Sequence, residues 1–509
     1  MTDALSERPA ESAPGSEKPL RSHIGRVAAA SAVALVVGEL ITVGQTVALA
    51  RLLSPTEVGI FVAGTVLVTF VGTFAEGGLR AGLVHREDHL ADAAETVFYA
   101  TTIGGVLMAM AALAAAPVIG MLVDDRHAGV VAAASSGVVL LHALTNVPEA
   151  MLQREFSVRR RLIVGPAVAV SYAGVAVTTA ALGWGVWSMV AGLYASSLVW
   201  VVSLWMITDW RPGRGRASMA MWRESARYGR PLVLGMIGAR VQSVAETTVV
   251  GGSLSPAALG QFRYGQRIAL IPVRGIIEVG ATSLFPAFSR IRGDADRLRV
   301  AYLRAVHWAF VGSALVGGLM IALGTPAVVV VLGEPWRQAG VVVVAMSGLG
   351  LGKALISVSE EAIKGGGRTG LLNWYTATEV LLGIGLLVAL VHLFGVVGAG
   401  AAISATAVMV GITCVCLAAL VVRFSTRDIL GALLPPLPCA ALSTAITAAL
   451  EHLVLQSDTR PIVVGLGFLA IDTAVFVVTY VAGLAVAAPA TTSALWRLVG
   501  RARRTLRTR

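Results

Sequence analysis

Apolar runs of about twenty residues recur along almost the whole chain, separated by short polar gaps. A helix needs about 20 such residues to cross the hydrocarbon core of a bilayer, and backbone in lipid must satisfy its own hydrogen bonds. The pattern predicts fourteen spans, at 27–50, 58–79, 96–122, 128–151, 162–182, 184–206, 231–252, 257–286, 302–323, 338–359, 370–393, 397–422, 429–454 and 461–486. The expected fold class is therefore an all-α polytopic membrane protein of about 14 transmembrane helices. Residues 1–20 are polar and rich in Ala, Pro, Ser and Glu, which predicts disorder. The first apolar run, starting near Val27, is too long for a signal peptide.

Composition narrows the class. Of 509 residues, 56% are hydrophobic and 14% charged, with mean hydropathy +0.78. Soluble domains carry about 25% charged residues, so a soluble enzyme and a nucleic-acid-binding protein are excluded. The net charge of +11 is a topological signal: Arg supplies 37 of the 40 basic residues, and most fall between apolar runs. With the N-terminus in the cytoplasm, inner segments hold 30 basic residues and outer loops only Arg51, Arg126, Arg337 and Arg460. That bias orients the bundle with both termini cytoplasmic. Cys414, Cys416 and Cys439 have neither metal-site nor disulfide spacing.

An internal repeat divides the chain. Leu53-Ser54-Pro55 with Gly59 recurs 201 residues later as Leu254-Ser255-Pro256 with Gly260. At the same offset Glu39, Thr42, Gln45 and Thr46 meet Arg240, Ser243, Glu246 and Thr247. Pro117 and Pro326 also stand in matching places before outer loops. The expected organisation is a cytoplasmic tail (1–26), an N-lobe of six spans (27–206) and a basic linker (207–230). A six-span C-lobe (231–422), two appended spans (423–486) and an Arg-rich tail (487–509) complete it. Two lobes around a midplane site are transporter architecture.

Ionisable residues at membrane depth then mark the site. Each costs about 2.5–3.5 kcal/mol at a span centre, so such residues face a wet cavity or one another. They are Glu39, Arg240, Glu246, Arg263, Arg267, Arg274, Glu278, Lys353, Glu379 and Asp472. At 100° per residue, Arg263, Arg267, Arg274 and Glu278 share an arc of about 60° on the eighth span. The second span, its repeat partner, aligns Thr65, Thr69, Thr73, Glu76 and Arg80 within about 80°. The expected cavity lining is Arg240, Arg263, Arg267, Arg274 and Lys353 for substrate. Glu39, Glu76, Glu246, Glu278 and Glu379 are the expected acidic, ion-coupling partners. Plainer roles compete: Arg274 pairing with Glu278 one turn on, Arg263 snorkelling, and Glu39 locking to Arg240 across the lobes. Asp472 reads as a packing residue, and His142, His307 and His392 are assigned no role.

Gly348 to Lys353 resembles a phosphate loop only faintly, since Ser347 and Ala354 stand where Gly and Ser or Thr are required. No cofactor is implied, and transport must draw on an ion gradient, the membrane potential or consumption of product. Enzymes acting on lipid-linked sugars need a sizeable outer domain, and every outer loop here is short.

The run Ala50-Arg51-Leu52-Leu53-Ser54-Pro55-Thr56-Glu57-Val58-Gly59 resembles the start of bacterial polysaccharide flippases. These are oligosaccharidyl-lipid exporters, grouped with multidrug/toxin extruders and the lipid II flippase. Gly78 to Val84, Leu152 to Phe156, Leu284 to Arg290 and Leu332 to Trp336 fit the same family, nearest the colanic-acid-exporter type. The resemblance covers roughly residues 25–425. It implies a V-shaped, two-lobed bundle in the bacterial cytoplasmic membrane that moves undecaprenyl-diphosphate-linked oligosaccharide between leaflets by alternating access. It also implies a lipid groove beside the appended spans, where Pro435, Pro436 and Pro438 break a helix. Membrane lipids and enzymes such as a polysaccharide polymerase or glycosyltransferases are the expected partners of what would be a monomeric transport unit. The rivals are a multidrug exporter of the same fold and a non-transporting scaffold with its charges locked in ion pairs.

Overall fold

Both copies of the Leu-Ser-Pro repeat start a helix, and for the same reasons. In α2 (Pro55–Glu76) the Ser54 hydroxyl accepts from the Glu57 N–H at 3.3 Å, and the Glu57 carboxylate accepts from the Ser54 N–H at 2.7 Å. This is a capping box with Pro as first helical residue, a position where a missing N–H costs nothing. In α11 (Pro256–Arg290) the Ser255 hydroxyl accepts from the Ala258 N–H at 3.1 Å. The computed structural model describes residues 37–76, 78–86, 88–155, 160–291 and 293–497. The expected N-terminal tail, the first ten residues of span 1 and the Arg-rich end from residue 498 lie outside them.

Every expected span coincides with helix. Helix α1 (37–52) precedes α2, and the short α3 (Leu79–His85) turns the chain into α4 (Leu90–Leu122). Span 4 is three pieces, α5 (Arg126–Ser135), α6 (Gly137–Ala143) and α7 (Asn146–Arg154). Helices α8 (Gly165–Ala181) and α9 (Val186–Ile207) complete the N-lobe. The second lobe runs through α10 (Met219–Ser253), α11 and α12 (Ala295–Leu332). It continues as a broken span, α13 (Arg337–Ala345) and α14 (Leu349–Gly365), bent by 44°. Helix α15 (Leu372–Val422) holds two spans, divided where Gly395 takes a φ of 62°, a left-handed turn that favours glycine. Span 13 is α16 (Thr426–Leu433) and α17 (Pro436–Leu450), parted at the expected prolines. Helices α18 (Ile462–Ala487) and α19 (489–497) end the described chain.

Nine helices among the described residues are long and apolar enough to cross a membrane, or ten with the bent pair. Helices α10 and α11 are not among them, although each has 35 residues. Their charged side chains, not their length, set them apart.

The lobes meet along α2 and α11. At Gly59 a Cβ would strike the Pro256 carbonyl, and at Gly260 a Cβ would strike the Pro55 carbonyl. Only glycine permits so close a backbone crossing. Next to it, the end of the bundle away from the Arg-rich loops is clasped. Arg51 donates to the carbonyls of Val331 at 3.0 Å and Val330 at 2.6 Å, satisfying the open C-terminus of α12. The Trp336 indole donates to the Ala50 carbonyl at 2.7 Å and stacks on Tyr264 at 4.2 Å. Gln261 bonds both Pro335 and Ala339. The largest cluster of buried apolar side chains passes through both lobes here, from Leu49 and Val58 to Phe262 and Val342. At the basic end α10 lies against the first lobe: Gly229 crosses Gly78, and Arg86 meets Glu224 at 3.0 Å.

Candidate functional site

Between the lobes lies a polar cavity of about 540 Å³. Helix α1 contributes Gln45 and Thr46, α2 contributes Thr65 and Thr69, and α8 contributes Tyr172. The other lobe supplies Arg240 from α10 and Arg263, Tyr264 and Arg267 from α11. Three of the five expected cations are thus brought to one chamber.

They are not equivalent. Arg263 is held through both amino groups, while its Nε–H meets no acceptor among the described residues: one amino group reaches the Glu246 carboxylate at 2.9 Å and the Gln266 carbonyl at 2.8 Å. The other reaches the Ser243 carbonyl at 3.0 Å and the Thr247 hydroxyl at 2.7 Å. The Gln266 amide donates to the same Glu246 oxygen at 3.2 Å. This network neutralises Arg263 and ties α10 to α11, so Arg263 does not snorkel. Arg240 and Arg267 have no ion-pair or hydrogen-bond partner among the described residues, and Arg267 stands exposed within the chamber.

A second space of about 800 Å³ adjoins the first, and Thr46, Arg263 and Arg267 line both. Its near end is polar, with Glu39 and Thr42 from α1 and Gln266 and Arg274 from α11. Its far end is apolar, walled by α12 residues from Val316 to Leu332 and by Leu469 and Thr473 of α18. A cationic chamber therefore stands beside a hydrocarbon-lined groove that reaches the appended spans. The prolines of span 13 break that helix, but the groove wall itself comes from α18.

Glu39 pairs with Arg274 at 3.7 Å, not with Arg240 as the repeat offset indicated. The reason is geometric: α1 faces α11 across the groove mouth, and the offset matches sequence positions without placing them together. Both partners are more than half exposed, where such a pair is worth at most about 1 kcal/mol. Lys353 and Glu379 bond each other at 2.8 Å between α14 and α15 and line neither space. Glu76 and Glu278 fall in α2 and α11, but their side chains lie outside the described residues. Of the threonine stripe, Thr65 and Thr69 line the chamber and bond carbonyls of their own helix. Sequence reasoning passed over Gln266, Tyr172 and Tyr264. Gln266 lies three residues from Arg263 on the same stripe, a signal that was there to be used.

Relatives bear on this geometry. The succinoglycan biosynthesis transport protein ExoT of Rhizobium meliloti (strain 1021) is 25% identical over 64% of this chain and 66% of its own length. The lipopolysaccharide biosynthesis protein WzxC of Escherichia coli (strain K12) is 22% identical over 60% and 63%. The chain thus spans just under two thirds of the length of these relatives. Among solved structures, the lipid II flippase MurJ in an inward closed conformation superposes with a TM-score of 0.72 at 12% identity, over 90% of this chain and 98% of that one. An inward-facing multidrug resistance MATE family transporter gives 0.61 at 15% identity, over 77% and 98%. These two share the fold. Residues 48–341 match the polysaccharide biosynthesis protein family, and the chain, a multi-pass membrane protein, belongs to it.

Proposed function

We propose that this protein flips an undecaprenyl-diphosphate-linked oligosaccharide from the cytoplasmic to the outer leaflet of a bacterial cytoplasmic membrane. One observation carries the reading: the chamber, where the guanidiniums of Arg240 and Arg267 have no partner among the described residues, shares part of its wall with an apolar groove. Guanidinium forks suit phosphate and diphosphate oxygens. A charged head left in hydrocarbon is heavily penalised, whereas a polyprenyl tail gains little by exchanging lipid for a protein groove. The chamber therefore supplies affinity and the groove supplies alignment. Glu246 keeps Arg263 in place, and Glu39 holds Arg274 at the mouth. Two lobes that meet at both ends of the cavity support alternating access, with the basic end facing the cytoplasm.

The exporter reading calls for an acidic chamber to hold cationic drugs, and the lining presents three arginines. The scaffold reading calls for every buried charge to be locked. Arg263, Arg274, Lys353 and their carboxylates fit it, whereas Arg240 and Arg267 have no such partner among the described residues.

The test is mass spectrometry of undecaprenyl-linked intermediates in cells carrying Arg240→Ala with Arg267→Ala, combined with a leaflet-accessibility probe. The expected result is oligosaccharide-lipid trapped in the inner leaflet while the protein level is unchanged. Full export by the double variant would overturn the assignment.

A further inference from the structure

The appended spans hold a second polar cluster, apart from the chamber. Helix α17 ends at Leu450 in a widened turn, Glu451–Leu455, after which Gln456 takes a φ of 48°. Ser443, Thr447 and Glu451 recur every four residues and so share one face, and none is more than 1% exposed. That face packs on α18. Gly483 lies against Cys439 and Gly465 against Ser457, an antiparallel register that brings Thr447 opposite the turn from Asp472 to Phe476. Asp472, fully buried, sets its carboxyl against that of Glu451. The Ser457 N–H and hydroxyl donate to Glu451 at 2.8 and 2.7 Å. Among the described residues no donor reaches either Asp472 oxygen, and the hydroxyls of Ser443 and Thr447 have no hydrogen-bond partner.

Two carboxylates in one buried site cannot both ionise without a cation, and no protein cation is at hand. Helix α12, packed behind both helices, has no ionisable side chain between His307 and Leu332. His307 itself bonds Ala432 and Thr491, toward the other end. In the adjoining loop Asp458 is taken by Arg337 at 2.9 Å, and His452 and Arg460 are exposed. Arg337 also holds the Glu334 carboxyl below the usual carboxylate range.

We propose that Glu451, Asp472 and Thr447 form a binding site for a dehydrated monovalent cation of sodium size. The ligand set is all oxygen, the preference of a hard cation. It stands at the C-terminal end of α17, where the backbone carries negative partial charge. With both carboxyls protonated the site is neutral. Exchanging one of those protons for one sodium ion keeps it neutral, so binding releases one proton. Leu469 and Thr473, flanking Asp472 in sequence, line the groove. A link between site occupancy and a lipid tail rests on the flippase reading, but the binding itself does not.

The experiment uses the full chain in detergent micelles at pH 8 without lipid-linked substrate, so it fails or succeeds independently of transport. Melting temperature and proton release in weak buffer are followed as NaCl is added, with choline chloride as the reference. The expected result is a saturable, sodium-specific rise in melting temperature with close to one proton released. Both responses vanish in Asp472→Asn and Glu451→Gln and persist in Glu379→Gln. If either acidic variant cannot be purified, Thr447→Val must weaken sodium binding about threefold, the loss of one neutral ligand at about 0.7 kcal/mol. No sodium-specific response in the unaltered chain overturns the proposal. So does a response that survives Asp472→Asn, one unmoved by Thr447→Val, or one lost in Glu379→Gln.

Discussion

Helices α2 and α11 begin alike and diverge within three turns. Each opens on Leu-Ser-Pro with the serine as cap, and each passes the other at a glycine four residues after the proline. Beyond the crossing, α2 turns threonines to the chamber. The Thr65 hydroxyl donates to Phe61 at 2.9 Å and that of Thr69 to Thr65 at 3.0 Å, so both are satisfied within their own helix. Helix α11 turns guanidiniums the same way, and these need partners from elsewhere. The lobes are thus held by the part of the repeat that stayed the same, and the lining is made by the part that changed. A crossing of two backbones tolerates one residue type, whereas a chamber wall tolerates many.

Substitutions can break that comparison in order of expected size. Arg263→Ala should be the most damaging, because it leaves Glu246 buried without its partner. A loss on the order of 3 kcal/mol is expected, read as a lowered melting temperature that Glu246→Gln in the same chain largely restores. Gly59→Ala and Gly260→Ala should come next, each forcing a methyl into the facing carbonyl, at about 1–3 kcal/mol. The two should be nearly equal in effect. They should also raise cysteine labelling at the end clasped by Arg51, since the lobes can relieve the clash only by parting there. Unequal effects would mean that the crossing is less symmetric than its sequence. Thr65→Val with Thr69→Val should matter least. Each loses a bond to its own helix, so stability should fall by under about 1 kcal/mol. A large loss of export in that variant, with the protein intact, would show that the threonine face handles cargo directly.

Much of this was legible in the residues, and what was missed has a common cause. The spans follow from apolar length, the lobes from the repeat, and the arginine stripe from helical period, all of which are local. Partner choice is not local. By offset Glu39 would meet Arg240, yet α1 and α11 bring Glu39 to Arg274. Glu451 sat unremarked near the end of its span and Asp472 read as packing, because the contact between them depends on the register of two antiparallel helices. Helix breaks within spans 4 and 10 were also hidden, since their hydropathy stays high through the bend. In contrast, Arg51 and Trp336 belonged to two separate motifs of the family resemblance, and the structure explains the pairing: they are the two halves of one clasp.

That clasp also bears on synthesis. Arg51 and its Val331 acceptor are 280 residues apart in the chain. At roughly 5–20 residues per second, the first lobe waits on the order of tens of seconds in the membrane before its counterpart exists. During that time Arg51 must keep its hydration, and the open face of α2 must rest on lipid or on the insertion machinery. The first six spans are therefore under selection to hold together unaided, and a nascent chain halted before residue 330 would display Arg51 to any water-soluble reagent on that side.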